Sequence, residues 1–122
     1  MLEILPIKDK VLQESVCLQC GVKYDKNLLA YATYSDGKPI GICQFSIKSN
    51  VGELVDLAHC SSINHPGELD LMGRAVLNFI DLCGANTVKC ENKNIDASLL
   101  CSIGFSKKSN GSFEIDLSSS ID

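Results

Sequence analysis

Three side chains able to move a proton fall within one apolar stretch, Glu53-Leu-Val-Asp56-Leu-Ala-His59. A carboxylate buried among apolar neighbours loses hydration, its pKa rises, and it can then serve as a general base near neutral pH. Asp56, flanked by Val55 and Leu57, is the best placed for that role; the competing reading is a buried carboxylate satisfied by nearby backbone or by a turn. Strict strand alternation puts Asp56 with Leu54 and Ala58 on one face, and His59 with Val55 and Leu57 on the other. His59 and His65 bracket a polar loop, Ser61 to Gly67, and either imidazole can face a cleft; simple solvation is the alternative for both.

Cys17-Leu-Gln-Cys20 is the second pattern with chemical meaning. A catalytic Cys-x-x-Cys sets its first thiol at a helix N-terminus, where the dipole favours the thiolate. Here the pair falls at a helix end beside Gly21, where the dipole opposes it. A zinc site would want a second close pair of ligands, and the remaining cysteines are scattered, so no metal is expected. The seven thiols are expected to be reduced and packed as small hydrophobes, in a cytoplasmic setting.

Composition narrows the partners. A net charge of -4 with no cluster of lysine or arginine offers nothing to a nucleic-acid backbone. No stretch approaches the ~20 apolar residues of a membrane span, and Glu3 and Pro6 stand where a signal peptide needs a basic patch and an apolar run. With 122 residues, 45% of them apolar, the chain suits one domain over residues 1–117, followed by a frayed tail over 118–122.

The elements that must position Asp56 follow from period and punctuation. Leu2–Leu5 reads as a strand and 8–20 as a helix stopped by Gly21, with Val11, Leu12, Val16 and Gln19 or Cys20 on its buried face. Residues 27–34 and 39–48 form a hairpin across Ser35-Asp36-Gly37-Lys38, and 53–59 completes a meander. A helix over 68–83 carries Leu69, Met72, Val76, Phe79, Ile80 and Cys83 at helical spacing and ends at Gly84. The strand 86–90, reached through that helix, lies parallel to its predecessor as a right-handed crossover. A helix over 94–103 and a hairpin of 105–108 with 112–117 finish the chain. The class is α/β (α+β): a mixed, mostly antiparallel sheet of about seven strands flanked by helices.

This order, together with Asn94-Ile-Asp-Ala97 and Gly104-Phe105, resembles the C-terminal half of the GCN5-related N-acetyltransferase family, and the helix Gly73-Arg-Ala-Val-Leu-Asn-Phe-Ile80 resembles the one that follows that family's coenzyme-binding turn. The resemblance implies acetyl-CoA as cofactor and a small-molecule or peptide amine as acceptor. It places the pyrophosphate against Leu71, Met72, Gly73 and Arg74, with Gly73 at the last glycine of the motif, Leu71 at the place of its first, and Glu68 at that of its arginine or glutamine. It also implies thioester polarisation by backbone amides near Leu57 and Ala58, deprotonation of an ammonium by Asp56 or His59, and a positioning role for Asn94, which could instead cap a helix. The family's proton-donating tyrosine falls on Leu100 or Cys101, depending on the end counted from, so Cys101 is a candidate acid whose alternative is packing.

Two functions stay open: N-acetyl transfer from acetyl-CoA to an amine, and a non-catalytic binding or regulatory module on the same fold. A homodimer through an exposed strand edge is compatible with either.

Overall fold

Each alternating or β-branched run becomes a strand of one sheet, and the computed structural model describes residues 1–60 and 67–118. The strands are β1 (Leu2–Pro6), β2 (Leu29–Ser35), β3 (Lys38–Lys48), β4 (Val51–His59), β5 (Thr87–Cys90), β6 (Ser106–Lys107) and β7 (Phe113–Asp116), in the spatial order β1-β2-β3-β4-β5-β7-β6. Asp36 and Gly37, both at positive φ, make the tight turn that joins β2 to β3. The crossover from β4 to β5 through α2 (Glu68–Leu82) gives the one parallel pair among the described strands. The expected class is therefore what is found, a mostly antiparallel seven-stranded sheet with helices on its faces.

α2 packs on one face over Phe45, Leu54 and Leu57, with Met72, Val76 and Ile80 as its own buried stripe. Tyr31, Phe45 and Phe79 form an aromatic cluster there, their centroids 5.8 to 6.0 Å apart. α1 (Lys10–Cys20) covers the other face, where Val16 and Cys17 meet Ala30, Ala32 and Ile42. α3 (Ala97–Ile103) lies beside α2. None of the described helices is long and apolar enough to cross a membrane.

Two local departures shape the site. Of the face expected to be buried on α1, Val16 is buried but Val11 is 76% exposed and Leu12 is exposed too; Gln13 and Cys17 join Val16 against the sheet. Gln13 reaches a buried glutamine on β3, and meeting that amide's hydrogen-bonding demand fixes the rotation of the helix. On β4 the strict alternation breaks at a bulge. Gln44 opposes Asp56 while Phe45 opposes Leu54, so Val55 is the extra residue. Leu54 and Leu57 consequently both face α2, and Asp56 joins Ala58 but not Leu54 on the α1 face, correcting the expected pattern.

Candidate functional site

The bulge sits where β4 loses its parallel neighbour. β4 pairs with β5 only over Val51–Glu53, so none of the described strands lies beside the edge from Leu54 to His59 and a cleft opens. Asn92, just past β5, spans that cleft: its Nδ2 donates to the Val55 carbonyl at 2.7 Å and lies 3.4 Å from Asp56 Oδ1. Its own Oδ1 accepts from the Asn94 amide at 2.8 Å, which fixes the orientation of the side chain.

Asp56 is held from the sheet side as well. Gln44, fully buried, donates from Nε2 to Asp56 Oδ2 at 2.7 Å and to the Lys23 carbonyl at 2.8 Å. Its Oε1 accepts from Gln13 Nε2 at 2.9 Å. Lys10 closes the chain of contacts with Nζ donating to the Leu28 carbonyl at 2.6 Å and to Gln13 Oε1 at 3.1 Å. A satisfied buried network of this kind rigidifies its members. Burial pushes the Asp56 carboxyl above the usual carboxylate range, and the Gln44 hydrogen bond pulls it partly back. Beside it, Val55 and Asp56 wall a cavity of about 580 Å³ whose other side is the segment from Lys23 to Leu28.

The start of α2 is built otherwise. Gly67 caps the helix at φ 78 with no side-chain hydrogen bond, and the Leu71 amide already donates to the Gly67 carbonyl at 3.0 Å. The cradle expected over Leu71, Met72, Gly73 and Arg74 therefore lies inside the helix, past its first turn. Met72 is buried, with its sulfur accepting from Thr33 Oγ1 at 3.2 Å. A Cβ on Gly73 would come within 2.5 Å of Ile103 Cδ1, so this glycine lets α2 approach α3 closely, whereas Leu71 is half exposed. The acidic side chains turn away from the helix end. Glu68 is buried with its carboxylate over Gly41, where a Cβ would meet Oε2 at 2.1 Å. Asp70 accepts from Ser102 Oγ and from Arg74 Nε, and these bonds, that of Ser102 first, hold its carboxyl below the usual range. Arg74 also donates to the Ser102 carbonyl at 2.6 Å, so its guanidinium ties α2 to α3.

The remaining candidates are dispersed. His59 is exposed at the end of β4, opposite Gly41. Leu57 packs toward α2, and Ala58 pairs with Ile42. Asn94 lines a separate cavity of about 350 Å³ beyond the end of β5, and the cap of α3 is Asp96, which accepts from the Ser98 amide at 3.1 Å. Cys101 is exposed on α3 and lines none of these cavities. His65 lies outside the described residues, as do residues 119–122 of the expected tail.

Of the described sequence candidates only Asp56 stands in the network; Gln13, Gln44 and Asn92 are the partners that sequence reasoning missed. Gln44 had a signal, being a polar residue inside the apolar run Ile40-Gly-Ile-Cys-Gln-Phe45. Asn92 was overshadowed by Asn94, two positions on, which carries the family resemblance.

No protein-family model and no curated protein matches the sequence. Solved structures do match over nearly the whole chain. An acetyltransferase from Bacillus subtilis in complex with CoA superposes with a TM-score of 0.77 at 15% identity, covering 96% of this chain and 99% of that one. The ribosomal-protein-S18-alanine N-acetyltransferase from Escherichia coli gives 0.75 at 12% identity, covering 96% and 94%. Tetrahymena GCN5 gives 0.74 at 12% identity, covering 96% of each. The chain thus has the fold of the GCN5-related N-acetyltransferases.

Proposed function

We propose that this protein transfers an acetyl group from acetyl-CoA to a primary amine, with Asp56 as the general base. One observation carries the reading: Asp56 stands at the bulge of β4, on the wall of a cavity large enough for a small acceptor, with its carboxylate oriented by Gln44. The residues at the α2 start fit the coenzyme through backbone. The first turn of α2 would take its diphosphate, because the Glu68 side chain is buried over Gly41 and Asp70 is paired with Arg74. The unpaired edge of β4 at Leu57 and Ala58 would take the thioester end. Bound there, the coenzyme supplies a thioester carbonyl as acyl donor.

The chain's own residues do the rest. With Oδ2 engaged by Gln44, Asp56 presents Oδ1 to the acceptor ammonium and takes its proton, leaving a neutral amine able to attack. Burial raises the basicity of Asp56 for this step, and the Gln44 bond offsets part of that rise. Asn92 holds the Val55 carbonyl and so keeps the bulge, and Asp56 with it, in place. We assign no proton transfer to His59, Asn94 or Cys101, none of which lines the cavity beside Asp56. Residues 1–117 are read as one working domain, and the unbridged cysteines suit a reducing cytoplasmic setting.

A second reading, a binding or regulatory module on the same fold, is favoured by the early start of α2 at Glu68, which leaves Leu71 and Met72 helical where the family resemblance calls for a glycine-rich turn. Calorimetric titration of the reduced protein with acetyl-CoA, followed by an amine panel, separates the two. Micromolar binding with amine-dependent release of free CoA is expected for the enzyme; no binding at millimolar acetyl-CoA would leave the module.

A further inference from the structure

Cys20 and Cys60 are 40 positions apart in the chain, yet their sulfurs lie 3.2 Å from one another. Cys20 is the last residue of α1, where Gly21 adopts the left-handed conformation and the Val22 amide returns to the Cys17 carbonyl at 3.0 Å. Cys60 directly follows β4, its amide donating to the Ile40 carbonyl at 2.8 Å. Both thiols are thus carried on hydrogen-bonded backbone, and a disulfide of about 2.05 Å requires an approach of only about 1 Å. The Cys-x-x-Cys spacing points to a different partner, Cys17, but that thiol is buried against the sheet with Val16.

We propose that Cys20 and Cys60 form an intramolecular disulfide on exposure to a low-molecular-weight disulfide oxidant, fastening the end of α1 to the end of β4. One thiolate, that of the partly exposed Cys20, attacks the oxidant's disulfide and forms a mixed disulfide, releasing one small thiol. The Cys60 thiolate then displaces the second small thiol, so two electrons and both protons end on the two released molecules. Burial first, and the contact with Cys60 next, push the Cys20 thiol well above its ordinary range, so the first step quickens as the pH is raised. The segment from Lys23 to Leu28 leaves the same helix end, so the link also anchors one wall of the cavity beside Asp56.

The test uses the full chain carrying Cys83→Ser and Cys101→Ser, which removes the two exposed thiols and with them pairing between molecules. Oxidised glutathione at about pH 8.5 is followed by alkylation, intact mass and peptide mapping. The expected product has lost two thiols and about 2 Da, shows a Cys20–Cys60 cross-linked peptide, and reverts with dithiothreitol. Its melting temperature rises by roughly 10 °C, since the link closes a long loop. Cys60→Ala abolishes the cross-link and Cys17→Ala keeps it. A stable glutathione adduct on Cys20 with Cys60 free, a Cys17–Cys20 cross-link, or an unreacted pair would each overturn the proposal. None of these readouts depends on acetyl transfer.

Discussion

At the Asp56 end of the cleft, Gln44 from β3 and Asn92 from beyond β5 meet one carboxylate, with Gln13 of α1 holding Gln44; the start of α2 offers the backbone amides of a helix end, and its acidic side chains are buried or paired. Gln44 and Asn92 reach Asp56 from two separate parts of the chain, and Gln13 from a third holds Gln44. Glu68 and Asp70, by contrast, are sequence neighbours at the helix end, and the field there depends on where they point. Glu68 is folded under the helix against Gly41, and Asp70 is matched by Ser102 and Arg74. A site made of side chains is vulnerable to single substitutions, whereas one made of amides responds mainly to helix position.

The largest effect is expected at the side-chain end. Asp56→Asn should lower kcat by about 10²–10⁴-fold, the usual contribution of a general base, in steady-state assays. The same variant should melt slightly higher than the parent at neutral pH. Folding raises the Asp56 pKa, so the folded state holds its proton more tightly, and the parent loses stability as pH rises from the unfolded carboxylate value through the folded one. Asparagine removes that loss, and melts recorded across pH will show the two curves converging in acid.

Gln44→Met removes the one bond that lowers the Asp56 pKa. The acidic limb of the kcat/KM profile should move to higher pH, with a loss of rate on the acid side. An unshifted limb with the same loss of rate would make Gln44 merely structural. At the other end, Gly73→Ala should cost about 1–3 kcal/mol in denaturant unfolding from overpacking against Ile103, with CoA affinity within about twofold of the parent if the helix end stays in place. A large loss of affinity without loss of stability would instead restore Gly73 to a coenzyme cradle. The smallest change is expected for Asp70→Asn, which removes a negative charge from the positive end of α2 and should tighten CoA binding by about two- to fivefold in low salt.

The order of strands and helices was legible because it is written locally. Asp36-Gly37 marks a hairpin, Gly21 and Gly84 end helices, and Met72, Val76 and Ile80 mark a buried stripe. What stayed hidden is set by contacts between distant residues. The bulge at Val55 has no local sign, since Glu53 to His59 reads equally well as a regular strand, and it decides that Asp56 leaves the face of Leu54. The rotation of α1 follows Gln13 and its partner Gln44 rather than Val11 and Leu12. The start of α2 at Glu68 was legible, but the packing of that side chain over Gly41, a glycine in a different strand, was not. Asp56 could be found from its apolar neighbours, and Gln44 from its place in an apolar run; that they meet, and that Gln13 and Asn92 join them, could not.

The most direct test of an Asp56-centred acyl transfer is a comparison of the parent and Asp56→Asn by calorimetry with acetyl-CoA and by mass spectrometry of an amine panel incubated with it. The account predicts that both proteins bind acetyl-CoA with similar affinity while only the parent yields acetylated amine in quantity. Equal product from the two proteins, or no binding by the parent at millimolar acetyl-CoA, would contradict it.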